Sequence, residues 1–142
     1  MTEEGKTERV SGSIIGEATF AGLIRLLAGY ENYMEALDEG LTGDYTAVDL
    51  TVGDIYGGHC EDLGLPDVLL ASSLGKAQYV KDPKSLKPKD LAKSIIIMFA
   101  INIGMMANMV AESADLENII FQGFPHLGFL SILSVENLVF IL

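Results

Sequence analysis

The sequence predicts a helix-rich α/β fold. Three observations carry that reading. An apolar run turns over glycine into an amphipathic stretch at residues 9–28. Residues 94–110 hold no charge. Short apolar runs at 68–71 and 119–121 are bounded by Gly and Pro. A chain of 142 residues has room for one core. The expected organisation is a polar tail over residues 1–8 and a single partial domain over 9–142.

Residues 9–15 read as a strand with Val10, Ile14 and Ile15 apolar, closed by Gly16. A helix follows, with Thr19 as its N-cap. Phe20, Leu23, Ile24 and Leu27 repeat at helical spacing, and Gly29 stops the helix. A second helix covers 31–39, with Met34 and Leu37 inward, and ends at Gly40. Gly43-Asp44 is a turn. The spacing of Val48, Val52 and Ile55 predicts a third helix over 47–56, ended by Gly57-Gly58. Residues 57–67 are loop. Residues 68–71 read as a strand or an extended approach to Ser72-Ser73-Leu74-Gly75. Residues 81–87 form a polar linker, and Pro88 suits the first turn of a long helix over 88–114. Residues 118–122 read as a strand closed by Gly123, and 130–142 as a final helix.

The uncharged stretch at 94–110 makes about 25 Å of helix at 1.5 Å per residue. That is the lower limit for a membrane span. Asn102 and Asn108 would need partners in lipid, and no Trp or Tyr marks an interface. The stretch therefore reads as a buried core helix, and no membrane is expected. A helix apolar on all sides needs cover from other elements, of which this sequence has few. The last residues, Val139-Phe140-Ile141-Leu142, fall inside an apolar pattern. Both features lead us to expect a piece of a longer domain.

The formal net charge is −11, from 9 Lys+Arg against 20 Asp+Glu. An acidic balance argues against nonspecific nucleic-acid or anionic-membrane binding, which both draw on surplus Lys and Arg. The apolar fraction of 49% and mean hydropathy of +0.35 are too high for a disordered chain. The basic residues gather in one place: six lysines lie between Lys76 and Lys93, against Asp82 and Asp90. They read as a solvated loop and helix start rather than an anion-binding rim. Only Tyr79 stands among them as a stacking surface, so single-stranded nucleic acid is not expected either. Cys60 is the one cysteine. No internal disulfide can form within the sequence, and the expected compartment is reducing and cytoplasmic. Residues 1–8 lack the basic start and apolar run of a secretory signal.

Backbone N–H groups at a strand–glycine–helix turn favour phosphate, and residues 9–20 have that pattern. His59 and Cys60 lie together, but His126 is the only other histidine, so no metal set is assembled. Asp54, Glu61, Asp62 and Asp67 read as solvated carboxylates with no assignable acid and base roles.

Taken in order, these segments resemble the eukaryotic-type (type II) pantothenate kinase family. Arg9-Val10-Ser11-Gly12-Ser13 is similar to its Arg-Val-Thr/Ser-Gly-Thr/Ser. Residues 16–23, GEATFAGL, are similar to its Gly-Gly-Gly-Thr-Phe-x-Gly-Leu. Val52-Gly53-Asp54-Ile55-Tyr56-Gly57-Gly58 is similar to its Val-x-Asp-Ile-Tyr-Gly-Gly. Gly64-Leu65 with Ala71-Ser72-Ser73-Leu74-Gly75-Lys76, then Lys89-Asp90-Leu91-Ala92 and Asn102-Ile103-Gly104, continue in the family's order. The resemblance covers about residues 9–123. It implies a fragment of an actin-like ATPase (ribonuclease H-like) lobe and ATP-dependent phosphorylation of pantothenate towards coenzyme A, with ATP and Mg2+. It places Arg9 at pantothenate, Gly16 and Thr19 near the ATP phosphates, and Gly123 on the nucleotide side. It also implies a homodimer, or pairing with a full-length kinase.

The departures from the family are specific. Its triple glycine is Gly16-Glu17-Ala18 here. Like charges 4 Å apart repel by about 4 kcal/mol at an effective dielectric of 20. A helix N-terminus returns only about 0.3–1 kcal/mol. Unless Glu17 turns away, repulsion of phosphate wins. Ile101 stands for the family's first Asn, and Met105 for the polar residue after Gly104. The family's N-terminal lobe, with its own phosphate loop and catalytic glutamate, has no counterpart in the sequence, so no catalytic residue is assigned. The sequence thus reads as a pantothenate kinase-type chain with little activity alone. The alternative is a non-catalytic regulatory module of the same descent.

Overall fold

The structure is a computed structural model, and it describes residues 9–116 and 118–121. The chain divides into two compact units, residues 18–98 and residues 1–17 with 99–142. The described residues are helix-rich α/β with a two-stranded sheet, as the sequence predicts.

The helix predicted after Gly16 begins two residues before Thr19, so Glu17 is its first residue. It forms α1 (Glu17–Leu23), continues as a π-helical turn (Ile24–Ala28), and stops at Gly29 in the left-handed region. Phe20, Ile24 and Ala28 are buried. Leu27 is exposed, because the wider π turn rotates it off the stripe. Phe20 meets Tyr33 edge to face, with ring centroids 6.4 Å apart. Asn32 caps α2 (Tyr33–Gly40) by accepting from the Met34 amide at 3.0 Å. Ala36 and Gly40 are the buried members of α2.

The single helix predicted over 47–56 does not form. The chain instead makes a 3-10 turn (Tyr45–Ala47), β1 (Leu50–Thr51) and α3 (Val52–Tyr56). Asp44 starts the turn by accepting from the Thr46 amide at 3.0 Å. Thr51 and Asp54 form a reciprocal capping box that starts a new helix at Val52. Val48 and Val52 are buried, but Ile55 is 54% exposed, so its spacing was incidental to the core. β1 pairs antiparallel with β2 (Leu70–Ser72), with Leu50 opposite Ser72, and an irregularity between Leu50 and Thr51. The run at 68–71 is therefore a strand, displaced by about one residue.

Pro88 opens the long helix, α4 (Pro88–Ser113), one residue shorter than predicted. Leu91 joins Ala28 and Val48 in a buried cluster, with Tyr30, Leu74 and Leu86 packed against it. Ala92, Ser94, Ile95 and Ile96 are also buried. Full burial of an aliphatic side chain such as Ile95 contributes about 1.5–3 kcal/mol. The turn before Asp44 docks on the start of α4. Asp90 Oδ1 accepts from the Asp44 amide at 2.9 Å.

In the other unit, residues 9–15 are exposed but belong to no strand, because no strand pairs with them among the described residues. Residues 118–121 likewise form no strand. Gln122, Gly123 and the helix predicted over 130–142 lie outside the described residues. Phe99, Ala100, Gly104 and Ala111 are buried along α4, while Met106 and Met109 are exposed. Helix α4 is long and apolar enough to cross a membrane by length and composition, and 39% of that window is buried within the protein.

Gly43 has to be glycine for the turn to dock on α4. A Cβ there would fall 2.9 Å from both the Lys89 carbonyl carbon and Lys93 Cβ. Helix backbone cannot swing aside as a side-chain tip does. Gly43→Ala is therefore expected to destabilise the chain by about 1–3 kcal/mol, read as a lowered thermal midpoint.

Candidate functional site

The segment read as a phosphate and substrate cradle, residues 9–19, is exposed throughout. Ser13 Oγ accepts from the Ile15 amide at 2.9 Å, which fixes a tight local turn. The Arg9 guanidinium folds back over Gly12, where a Cβ would come within 2.5 Å of Arg9 Nη2. The glycine of this motif thus gives the arginine head its resting place. At Gly16 the space beside the backbone is open: nothing lies within 4 Å of where a Cβ would be. Thr19 lies in the first turn of α1 rather than at its cap, and Glu17 begins the helix.

Arg9, Ser11 and Ser13 line a cavity of about 730 Å3. Ile103, Met106 and Val110 of α4 also line it. The cavity sets a guanidinium and two hydroxyls against an apolar surface, a mix suited to a small anion with an apolar portion. The apolar wall is not visible from the motif at 9–13, because α4 is remote in sequence. Gly123 lies outside the described residues. Of the four expected site residues, the structure describes Arg9, Gly16 and Thr19, and it places only Arg9 in the cavity wall.

A second polar cluster, not anticipated as such, lies in the unit of residues 18–98. Asp54 read as a solvated carboxylate, but Lys76 Nζ lies 2.7 Å from its Oδ2 and also donates to the Thr46 carbonyl at 2.8 Å. Asp54 Oδ2 accepts in turn from the Thr51 amide at 2.8 Å. The Lys76 ammonium, then the Thr51 amide, holds the Asp54 carboxyl below its usual range. Thr51-x-x-Asp54 was the available signal for the capping half of this arrangement. Asp49 is fully buried beside it. Its Oδ1 accepts from the Leu74 amide at 2.7 Å and from the Ser94 hydroxyl, and burial pushes its carboxyl above the usual range. Elsewhere, burial followed by the 2.5 Å bond to Glu39 raises the Tyr30 phenol to about 12. Cys60 sits in an isolated bridge with Leu65. No group of three His, Cys, Asp or Glu that could hold a metal occurs among the described residues.

Comparison with known proteins shows where these features belong. The family profile described as Fumble matches residues 1–128. Pantothenate kinase 1 of Oryza sativa subsp. japonica is 43% identical over 124 residues, covering 87% of this chain and 18% of the relative. Pantothenate kinase 1 of Arabidopsis thaliana is 40% identical over 125 residues, covering 85% of this chain and 32% of the relative. Pantothenate kinase of Schizosaccharomyces pombe is 36% identical over 126 residues, covering 87% and 31%. The chain thus spans less than a third of the length of these curated relatives.

The Asp54–Lys76 pair has a pH signature. A carboxyl held below its usual pKa in the fold contributes stability that is present above the unfolded value and lost as pH falls through the folded one. Lys76→Met is expected to flatten the acid side of the stability profile, below the ordinary carboxylate range where Asp54 titrates, as read by melting across pH.

Proposed function

Because this chain belongs to the Fumble family, we propose that it contributes the pantothenate-facing and phosphate-facing part of an ATP-dependent pantothenate kinase acting in coenzyme A biosynthesis. The match over residues 1–128, which takes in the Arg9–Ser13 and Gly16–Leu23 motifs, is the observation that carries this reading. Pantothenate carries one charge, a carboxylate. Arg9 offers it a planar pair of donors from the cavity wall, and the apolar residues of the lining suit its dimethyl-substituted carbon. The space beside Gly16 is open, so a phosphate can approach it, and α1 with Thr19 follows directly.

The fit to ATP is incomplete in one respect. Glu17 puts a carboxylate next to the glycine that would approach the phosphates. ATP, when bound, supplies the phosphoryl group. With no acidic cluster among the described residues, Mg2+ comes with the nucleotide rather than being held by this segment. Phosphoryl transfer depends on positioning from both sides of the nucleotide. A full-length kinase paired with the chain supplies the remaining groups. The protein acts in the cytoplasm.

Calorimetry with ATP·Mg on the chain and on Glu17→Gly tests this reading. The variant is expected to bind more tightly, by about tenfold, because a like charge next to the phosphates is removed. Binding by neither protein would remove the nucleotide role from the Gly16 turn.

A further inference from the structure

The carboxylate of Asp49 has no part in the proposed chemistry, yet it is the most completely enclosed charged side chain among the described residues. Its two oxygens are in unequal positions. Oδ1 takes two donors from distant parts of the chain: the Leu74 amide, 25 residues on, and the Ser94 hydroxyl of α4, 45 residues on. Oδ2 is buried with no hydrogen-bond partner among the described residues. The residue receiving the first bond, Leu74, is a non-glycine in the left-handed region at φ 58°, a conformation that needs support from its surroundings. It leads into the 3-10 turn Gly75–Tyr79, which carries Lys76 to Asp54 and Thr46.

We propose that Asp49 is a proton-operated latch: an enclosed carboxyl that joins α4 to the Leu74 turn in its neutral form and loosens that joint when it ionises. The neutral form keeps both bonds to Oδ1 and leaves only a hydroxyl on Oδ2. The charged form leaves negative charge on an enclosed oxygen with no donor, which is far more costly than an unpaired neutral group. Hydrating that oxygen means parting the Leu74 turn from α4. The charged groups around the joint are few. Lys76, on the turn itself, is the cation that acts on Asp49 and favours its ionisation, as do the two bonds to Oδ1, but burial outweighs them, and Lys76 is itself paired with the Asp54 carboxylate of α3. On α4, Asp90 and Lys93 flank Ser94 in sequence, and Asp90 is engaged by the Asp44 amide. On β1 and the residues before it, Val48, Leu50 and Thr51 bring no charge.

A carboxyl that binds its proton more tightly in the fold stabilises fully below the ordinary carboxylate range. That contribution is lost as pH rises through the folded value. Asp49→Asn mimics the neutral acid, keeping an acceptor at the Oδ1 position and no charge at the other. Melting of the chain and of Asp49→Asn should coincide in acid, with the variant melting progressively higher than the parent as pH rises. A constant difference, or a parent that gains on the variant as pH rises, would overturn the latch. Should Asp49→Asn fail to fold, the Leu74 amide resonance of the parent chain decides. A titration step above the ordinary carboxylate range supports the latch, and no such step refutes it.

Discussion

A 26-residue helix with few charged groups, α4, leaves an apolar cylinder that folding has to hide from water. The chain hides its first half well. The π-helical turn after α1 brings Ala28 onto Leu91, and Val48 completes that cluster. Two polar joints then fix where the covering segments sit. Asp90 holds the Asp44 turn, and Ser94 holds Asp49, so the register of the cover is set by hydrogen bonds at defined points rather than by hydrophobic contact, which has no direction. Gly43 makes the first joint possible by letting the turn lie directly on helix backbone.

The same arrangement explains why the family motif at 52–58 is polar at Asp54. That carboxylate caps α3 and anchors Lys76 at once. A motif that looks like a candidate for chemistry therefore has a structural duty here, linking β1 and α3 to the segment after β2. The chemistry proposed for the chain rests instead on Arg9 and Gly16, both exposed.

Much of this was legible from sequence. Glycine stops, proline at the start of α4 and apolar spacing gave the helices at 17–28, 33–40 and 88–113 within a few residues. The family was legible from short motifs in order, because each combines glycine with a polar residue in a spacing that packing alone does not require. The helix predicted over 47–56 failed for a local physical reason. Val48, Val52 and Ile55 happen to fall at helical intervals, but a buried carboxylate at Asp49 and a capping box at Thr51 demand extended backbone between them. The strand predicted over 9–15 failed for a non-local one: β propensity is expressed only where a neighbouring strand completes the ladder. The cavity wall from α4 and the enclosure of Asp49 were invisible, since both depend on residues far apart in the chain.

Uniform apolarity along α4 together with uneven cover is the central physical claim. Hydrogen exchange resolved along the helix tests it most directly, since protection follows local opening rather than composition. The slowest amides are expected over 91–100, with clearly faster exchange over 105–113, where Met106 and Met109 are exposed. Equal protection along the whole helix, or slower exchange in its second half, would contradict it.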